Sequence, residues 1–595
     1  MRKELLDLRT AMARAGIDAY VIPTDDFHGS EYVGDYFKCR SYVSGFTGSA
    51  GTLVVTAERA GLWTDGRYFL QAEAQLVDSG IDLMKQREPN VPTVSQWLEA
   101  QLQPGQVLGF DGRSMVASTG EALENAVRNA GASLRYDLDL VGEIWSDRPA
   151  MSEEPVWALS LEYAGQPRAE KLAQLKQALK DAGADTHILT SLDDIAWLLN
   201  IRGNDVTCCP VVLSYLLVTH DAVRLYVNGS KFTPELRAAL EADGVEFRPY
   251  LQLYSDVSVL PADACILADP QKLNYTIMRS IPRTSRILSA DNPTTIAKSI
   301  KNPTEVKNER LAHLRDGIAL TKFMKWLKDH VGREQITELS ACEVLENFRA
   351  QQPDYLGPSF SPIMGYAEHG AIIHYGATPE TNVPLKPEGF LLSDTGGHYL
   401  QGSTDVTRTF VLGPLTEEMK FHYTLVLRSH LALLSAQFKQ NCAGIALDIL
   451  ARKPFWDLGL DYNHGTGHGV GYLLSVHEGP QSIRYQIISG SRIPAAFAPG
   501  MITSDEPGIY LAGQYGIRLE SLMVCVTRLV NEYGTFYGFE PLTLCPFEKA
   551  AILTEQLSAE ERSALNAYHA LVLEQLSPYF SGADLSWLQD ACSPV

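Results

Sequence analysis

Apolar and polar positions alternate along the chain with two different periods, and their succession outlines helices and strands in turn. The N-terminal stretch MRKELLDLRTAMARAG mixes apolar and charged residues at helical spacing and predicts an amphipathic first helix. The apolar run Ala19 to Ile22 follows, then a polar loop. Thr52 to Thr56 and Gly61 to Thr64 then predict short strands joined by a charged turn. From Arg148 to Leu159 the sequence RPAMSEEPVWAL, with two prolines and paired acids, predicts a linker. Beyond it, a helical pattern from Ala169 to Ala182 leads through His187 to Thr190 into a second series of strands. Both stretches run apolar turn, glycine (Gly48 or Gly203), strand, charged turn, strand, which suggests a duplicated α/β module. Any two α/β domains share such an order, so two unrelated modules are equally compatible with it.

A third region opens at KNPTEVKNERLAHLRDGIALTKFMKWLKDH. Asn302 suits the N-cap, Pro303 the first helical position, and Glu305 can reach back to the cap. Val306, Leu311, Leu314, Ile318 and Leu327 predict the apolar stripe of a long helix. Near the other end, Ser558 and Glu561 form a second capping box ahead of Leu565, Tyr568 and Leu571, a helix that packs the C-terminal tail. The chain therefore divides into three parts, 1–150, 151–300 and 301–595. The first two are α/β in pattern, and the last is a mixed α+β unit with a C-terminal extension.

Length agrees with that division, since 595 residues at roughly 150 per domain exceed a single core. Hydrophobic residues at 45% and charged residues at 20% exclude wholesale disorder, collagen and coiled coil. With 50 Lys+Arg against 71 Asp+Glu, the formal charge of −21 repels phosphate backbones and argues against a nucleic-acid partner. The longest mostly apolar stretch, Pro210 to Val218, is far short of the roughly 20 residues of a membrane span, and no membrane association is expected. Glu4 and Asp7 interrupt what would be the apolar core of a signal peptide. Nine scattered cysteines without a CxxC read as free thiols in a reducing compartment, so a cytoplasmic location is expected.

Between residues 370 and 525, acids and histidines appear inside apolar, β-branched stretches. Asp394 ends the strand-like run Gly389 to Ser393, and Asp405 opens STDVTRTFVL after the turn GGHYLQG. An antiparallel pair of this kind can hold two carboxylates close together. Strand-end aspartates also cap turns, and Arg408 is available as a partner. His464 and His468 lie in NHGTGHGVG, where the many glycines argue against a helix and match neither HExxH nor GxGxxG. Glu506 in MITSDEPGIYL and Glu520 in GIRLESLMVCV complete the set, with Arg518 an available partner for Glu520. Unpaired carboxylates in a low-dielectric site repel, and two divalent cations are the simplest neutralisation of four carboxylates and an imidazole. Such oxygen-rich ligation favours Mn²⁺ over zinc. Paired metals bind a hydroxide and polarise a carbonyl together, which points to amide hydrolysis.

The stretches DTG…STDVTRT, HGTGHGVG, SDEPGIY and GIRLES resemble the dinuclear metallopeptidases of the pita-bread fold. GAIIHYG, SVHEGP, the N-terminal GFTGSAG…LWTDGRYFLQA and the central LDDIAWLLNIRG narrow the resemblance to the long, three-domain cytosolic type of Xaa-Pro aminopeptidase, or aminopeptidase P. The resemblance touches all three parts of the chain. It implies two creatinase-like α/β domains followed by a pita-bread catalytic domain, and a homodimer. It further implies a metallo-aminopeptidase that removes the N-terminal residue ahead of a penultimate proline, by attack of a metal-bridging hydroxide on the Xaa-Pro carbonyl.

Carried onto this sequence, the resemblance makes Asp394 a ligand of one metal, Asp405 and Glu520 bridging ligands, and His468 and Glu506 ligands of the second metal. Glu506 would also guide the proton toward the departing nitrogen. His374 and His477 would contact the substrate, His477 as a donor to the oxyanion. His464 would shape the pocket for the prolyl ring, Arg518 would orient the metal carboxylates, and Arg67 would reach the substrate. On the residues alone, His374 reads equally as a satisfied strand histidine, Arg67 as a partner of Asp65, and Trp63 and Trp197 as core. Glu368 and His369, and the long stretch from Gln481 to Ile493, depart from the family pattern and are expected to reshape the substrate mouth. Two competing readings are a prolidase, which cleaves only Xaa-Pro dipeptides and has two domains, and a non-catalytic binding module, which would have lost ligands.

Overall fold

The computed structural model describes residues 1–487 and 494–595. The chain forms two compact units. One comprises Met1–Ser160 with Gln166–Thr295, and the other Ile296–Val595 with the short segment Leu161–Gly165.

The first helix, Lys3–Ala15, buries Leu5, Leu8, Ala11 and Met12 and stops where Gly16 turns left-handed at φ 68°. It precedes a six-stranded sheet in the spatial order Asp82–Lys85, Ala60–Thr64, Thr52–Thr56, Ala19–Pro23, Val107–Gly109, Ser133–Arg135. A second six-stranded sheet follows, in the order Val245–Arg248, Val223–Val227, Ser214–Thr219, Thr186–Leu189, Cys265–Ala268, Arg286–Ser289. Numbered along the chain within each sheet, both read 4-3-2-1-5-6. In both, pairs 1–2 and 2–3 are antiparallel, while 3–4, 1–5 and 5–6 are parallel. One topology repeated strand for strand is what a duplicated module gives and what two unrelated α/β domains have no reason to share. The stretch read as a linker is irregular only in part. Trp157–Ala158 pairs antiparallel with Ile201–Arg202, too short a ladder to leave a period in the sequence.

In the C-terminal unit, the long helix Pro303–His330 carries the full capping box between Asn302 and Glu305. Its buried face differs from the expected stripe. Ile318 and Leu327 are buried but Leu311 is exposed, and the first half of the helix buries Glu305, Glu309, His313 and Asp316 instead. Two helices and an antiparallel sheet then occur twice. Pro303–His330 and Glu338–Ala350 precede the sheet Ile363–Tyr366, Phe390–Thr395, Val406–Val411; Glu417–Leu434 and Gly444–Trp456 accompany the sheet Gln437–Lys439, Gly534–Pro541, Ser521–Asn531, Ile502–Asp505, whose strand Gln437–Lys439 lies between the two helices in the chain. The apolar core of this unit joins Tyr423, Val426, Leu427, Phe455, Ile517 and Phe539, among others. The C-terminal helix Ala559–Leu576 packs Leu565, Tyr568 and Val572 into that core. All nine cysteines are free thiols, and no described helix is long and apolar enough to cross a membrane.

Candidate metal centre

Each half of the C-terminal unit contributes to one cluster. From the first half, Phe390–Thr395 runs antiparallel to Val406–Val411 with Asp394 opposite Thr407, so Asp394 and Asp405 lie at one end of the same ladder. Residues 396–405 form more than a turn: Gly397–Tyr399 pairs with Gly402–Ser403 and with Tyr355–Pro358, three short strands with no alternation to betray them. From the second half, His468 ends the strand Gly467–His468, Glu506 follows Ile502–Asp505, and Glu520 precedes Ser521–Asn531. Ligand atoms of Asp405, His468 and Glu520 lie within 4.8 Å of one another.

Neighbouring hydroxyls and one guanidinium hold these carboxylates. Thr407 Oγ1 donates to Glu520 Oε2 (2.8 Å), Ser504 Oγ donates to Glu506 Oε1 (3.1 Å), and Arg518 Nη2 donates to Asp394 Oδ2 (2.6 Å). Arg518 thus grips Asp394, although its place in the sequence offered it first to Glu520. Arg408, the residue after Thr407 and so on the opposite face of the strand, turns away from the cluster. It donates to the carbonyls of Cys545 and Glu520 and to Tyr568.

The cluster is short of positive charge. Burial, opposed by Arg518 but helped by the charges of Asp405 and Glu506, pushes the Asp394 carboxyl up to about 6. Burial and then the charges of Asp405, Asp394 and Glu506 hold Glu520 well above the carboxylate range. Asp394 Oδ1 is buried without a hydrogen-bond partner. His468 is the most telling group. Its Nδ1 donates to the Gly469 carbonyl (3.0 Å), which leaves Nε2 aimed at Asp405 Oδ2 and Glu506 Oε1, 3.5 Å from each. Burial alone would lower its basicity, yet the bond to Asp405 and the charges of Glu506 and Asp405 raise it to about 9. A lone pair pointed at two carboxylate oxygens requires a proton or a cation between them. The donor set of oxygens plus one Nε2, with the other ring nitrogen fixed by a carbonyl, fits divalent metal ions.

The other expected residues surround this cluster to different degrees. His477 packs edge-on against His468, ring centres 4.3 Å apart. His464 donates from Nδ1 to the Gly465 carbonyl, and its Nε2 meets Tyr510 Oη at 2.8 Å. Tyr510 in turn accepts from Arg518 Nη1 (2.8 Å), so a hydrogen-bonded chain runs from Asp394 to His464. His374 is half-buried in a turn, not a strand, and the adjacent Ile373 carbonyl accepts from Arg518 Nη2 (3.3 Å). Arg67, in the N-terminal unit, donates from Nε and Nη2 to the two oxygens of Asp65, 2.9 Å each. Trp63 and Trp197 are buried. Glu368 is exposed, whereas His369 turns inward, and part of the long stretch to Ile493 lies outside the described residues.

Sequence reasoning missed Tyr510, visible only as the last letter of SDEPGIY, and also Arg452. The Arg452 guanidinium, 1% exposed, donates to Asp448, to Asp461 and to the carbonyls of Tyr462 and His464. It thereby shapes the loop that carries His464 from a position with no motif of its own.

Profiles of the Creatinase/Prolidase N-terminal domain match residues 5–136 and, in a second version, 147–305. The metallopeptidase family M24 matches 307–528 and the C-terminal region of that peptidase matches 535–595. Aminopeptidase P2 of Arabidopsis thaliana is 40% identical, over 98% of this chain and 86% of its own length. A probable Xaa-Pro aminopeptidase P of Sordaria macrospora is 38% identical, over 99% and 98%. The crystal structure of the X-prolyl aminopeptidase of Caenorhabditis elegans, described as a cytosolic enzyme with a di-nuclear active site, superposes with a TM-score of 0.95. It has 35% identity and covers 100% of this chain and 99% of its own. An Xaa-Pro dipeptidase from Bacillus anthracis, at 22% identity and TM-score 0.51 over 64% of this chain, shares the fold. The chain belongs to the aminopeptidase P family of the M24 metallopeptidases.

Proposed function

We propose that the protein is a metal-dependent aminopeptidase that releases the N-terminal residue from peptides with proline in second position. The observation that carries this reading is His468, whose Nε2 faces two carboxylates while its Nδ1 hydrogen is already committed. Asp394, Asp405, His468, Glu506 and Glu520 would hold two divalent ions, Mn²⁺ by the hardness of the oxygen donors. When bound, the ions supply a polarised scissile carbonyl and a more acidic water.

The chain's own residues do the rest. Glu506, steadied by Ser504, accepts a proton from the attacking water and delivers it to the proline nitrogen as that nitrogen leaves. His477, beside His468, and His374 donate to the peptide, His477 to the carbonyl oxygen as charge develops on it. Proline forms a tertiary amide without an N–H, so its ring is received by shape. His464, tied to Tyr510 and to its own loop, provides a wall for it.

The homodimer expected of this family finds support in an exposed apolar group on the catalytic unit, Ile449, Leu450, Trp456 and Leu458, with Tyr485 packed on Trp456. Three domains at 1–150, 151–300 and 301–595 and a cytoplasmic location complete the proposal, the latter in line with the description of the nematode enzyme.

Metal analysis of the purified protein, alongside turnover of an Xaa-Pro-Xaa tripeptide and an Xaa-Pro dipeptide, tests the reading. About two divalent ions per chain and cleavage of the tripeptide are expected. Cleavage of the dipeptide alone would replace it with a prolidase, and fewer than one ion with no turnover would leave a binding module.

A further inference from the structure

Residues 367–383 leave the strand Ile363–Tyr366 as a loop that carries His374. The loop begins in a conformation it does not choose freely: Ala367 sits at φ 50°, in the left-handed region that a residue with a Cβ enters only at a cost. Tethers must therefore impose it, and they converge on one side chain. Glu338, the first residue of the helix Glu338–Ala350, is completely buried. Its Oε1 accepts from the Tyr366 backbone N–H (2.8 Å) and from His369 Nδ1 (2.9 Å). Its Oε2 accepts from the Tyr375 hydroxyl (2.9 Å) and the Val383 N–H (3.4 Å). The rings of His369 and Tyr375 stack 4.4 Å apart.

His374 lies inside the turn that these two residues bracket, for the Ile372 N–H bonds to the His369 carbonyl and the Tyr375 N–H to that of Ile372. On its other side the turn is held by Arg518, which donates to the Ile373 carbonyl and to Asp394. The backbone at Gly370 also presses on the strand Tyr515–Arg518 so closely that a Cβ at Gly516 would lie 1.7 Å from the Gly370 oxygen. His374 is thus suspended between a buried carboxylate and the guanidinium that orients a metal ligand. An apolar residue at position 338 would leave the Tyr366 and Val383 N–H groups and the Tyr375 and His369 donors without their acceptor. What the charge adds is a single conformation for the loop.

We propose that Glu338 and His369 are positioning residues for substrate binding, holding the loop so that His374 is presented to the peptide. The inference rests on the reading of His374 as a substrate contact. Its effect falls on KM, because the metal ligands and Glu506 are untouched.

The test is a double-mutant cycle on the holoenzyme with an Xaa-Pro-Xaa tripeptide, following KM, kcat and metal content. His369→Phe keeps the stack on Tyr375 but cannot donate to Glu338, so it spares the fold. Alone it should raise KM roughly tenfold, the size of one lost charge-assisted hydrogen bond, with kcat and metal content preserved. In a His374→Ala background the same change should alter KM by less than about twofold. Tyr375→Phe, which removes a neutral donor, should behave alike with a smaller effect. Equal losses in both backgrounds, or an unchanged KM for His369→Phe beside an impaired His374→Ala, would overturn the positioning role. A His374→Ala enzyme with normal metal content and unchanged KM would instead remove the substrate-contact reading beneath it.

Discussion

In the N-terminal unit, Asp205 and Lys231 are almost wholly buried and pair one to one, with the Leu213 N–H as a further donor to the carboxylate. In the catalytic unit, four carboxylates gather around one imidazole, and the guanidinium of Arg518 reaches Asp394. Both clusters are out of water, yet the first is balanced and the second is not. A balanced pair can stand as part of the scaffold. An unbalanced one is tolerable only when something positive arrives, so the excess of acid marks a place built for cations rather than for stability.

The largest way to break this contrast is Asp405→Ala. Removing an expected bridging carboxylate should bring peptide turnover below detection and lower bound metal, while circular dichroism stays native because the neighbouring strands are already paired. Metal-free protein should then show opposite signs in the two clusters. Lys231→Met leaves a buried carboxylate alone and should cost about 3–5 kcal/mol. Glu520→Gln relieves repulsion and should add roughly 1 kcal/mol. Hydrogen exchange followed separately in each unit reads both.

Acidity sharpens the contrast further. The Asp394 carboxyl sits at about 6, above its ordinary 3.8, in the metal-free fold. Its contribution to stability is therefore complete below about 3.8 and lost as pH climbs through about 6. Metal binding needs the ionised carboxylate, so the difference in thermal midpoint between metal-loaded and metal-free protein should widen over that interval. A gap that is constant or narrows would contradict it. The smallest effect belongs to Arg452→Lys, which keeps a charge beside Asp448 but gives up donors to the His464 loop. It should raise KM for the tripeptide about fivefold, near the value of one hydrogen bond, with metal content unchanged.

The four acids among the five candidate ligands stood out in the sequence because an acid inside an apolar, β-branched run is conspicuous. Asp394 after Phe390-Leu391-Leu392-Ser393 and Glu520 before Ser521-Leu522-Met523-Val524 are both of this kind. The capped starts at Asn302 and Ser558 were equally plain, since capping is local chemistry. What could not be read were partnerships between distant residues. Nothing near Arg408 or Arg518 tells which of them faces the acids; the answer depends on which side of its strand each occupies. Glu338, Arg452 and Tyr510 act on segments 31, 12 and 46 residues away, and each looks ordinary in its own neighbourhood. The long helix misled for a related reason, because its first half buries Glu309 and His313 where periodicity calls for leucines.

The duplicated sheets of the N-terminal unit each possess a full complement of strands, but they are not separable pieces. Main-chain bonds from Ala117 to Leu273 and from Tyr275 to Met115 stitch one to the other. A protease that nicks the irregular stretch 149–156 should therefore yield two fragments that travel together on a sizing column and part only in denaturant.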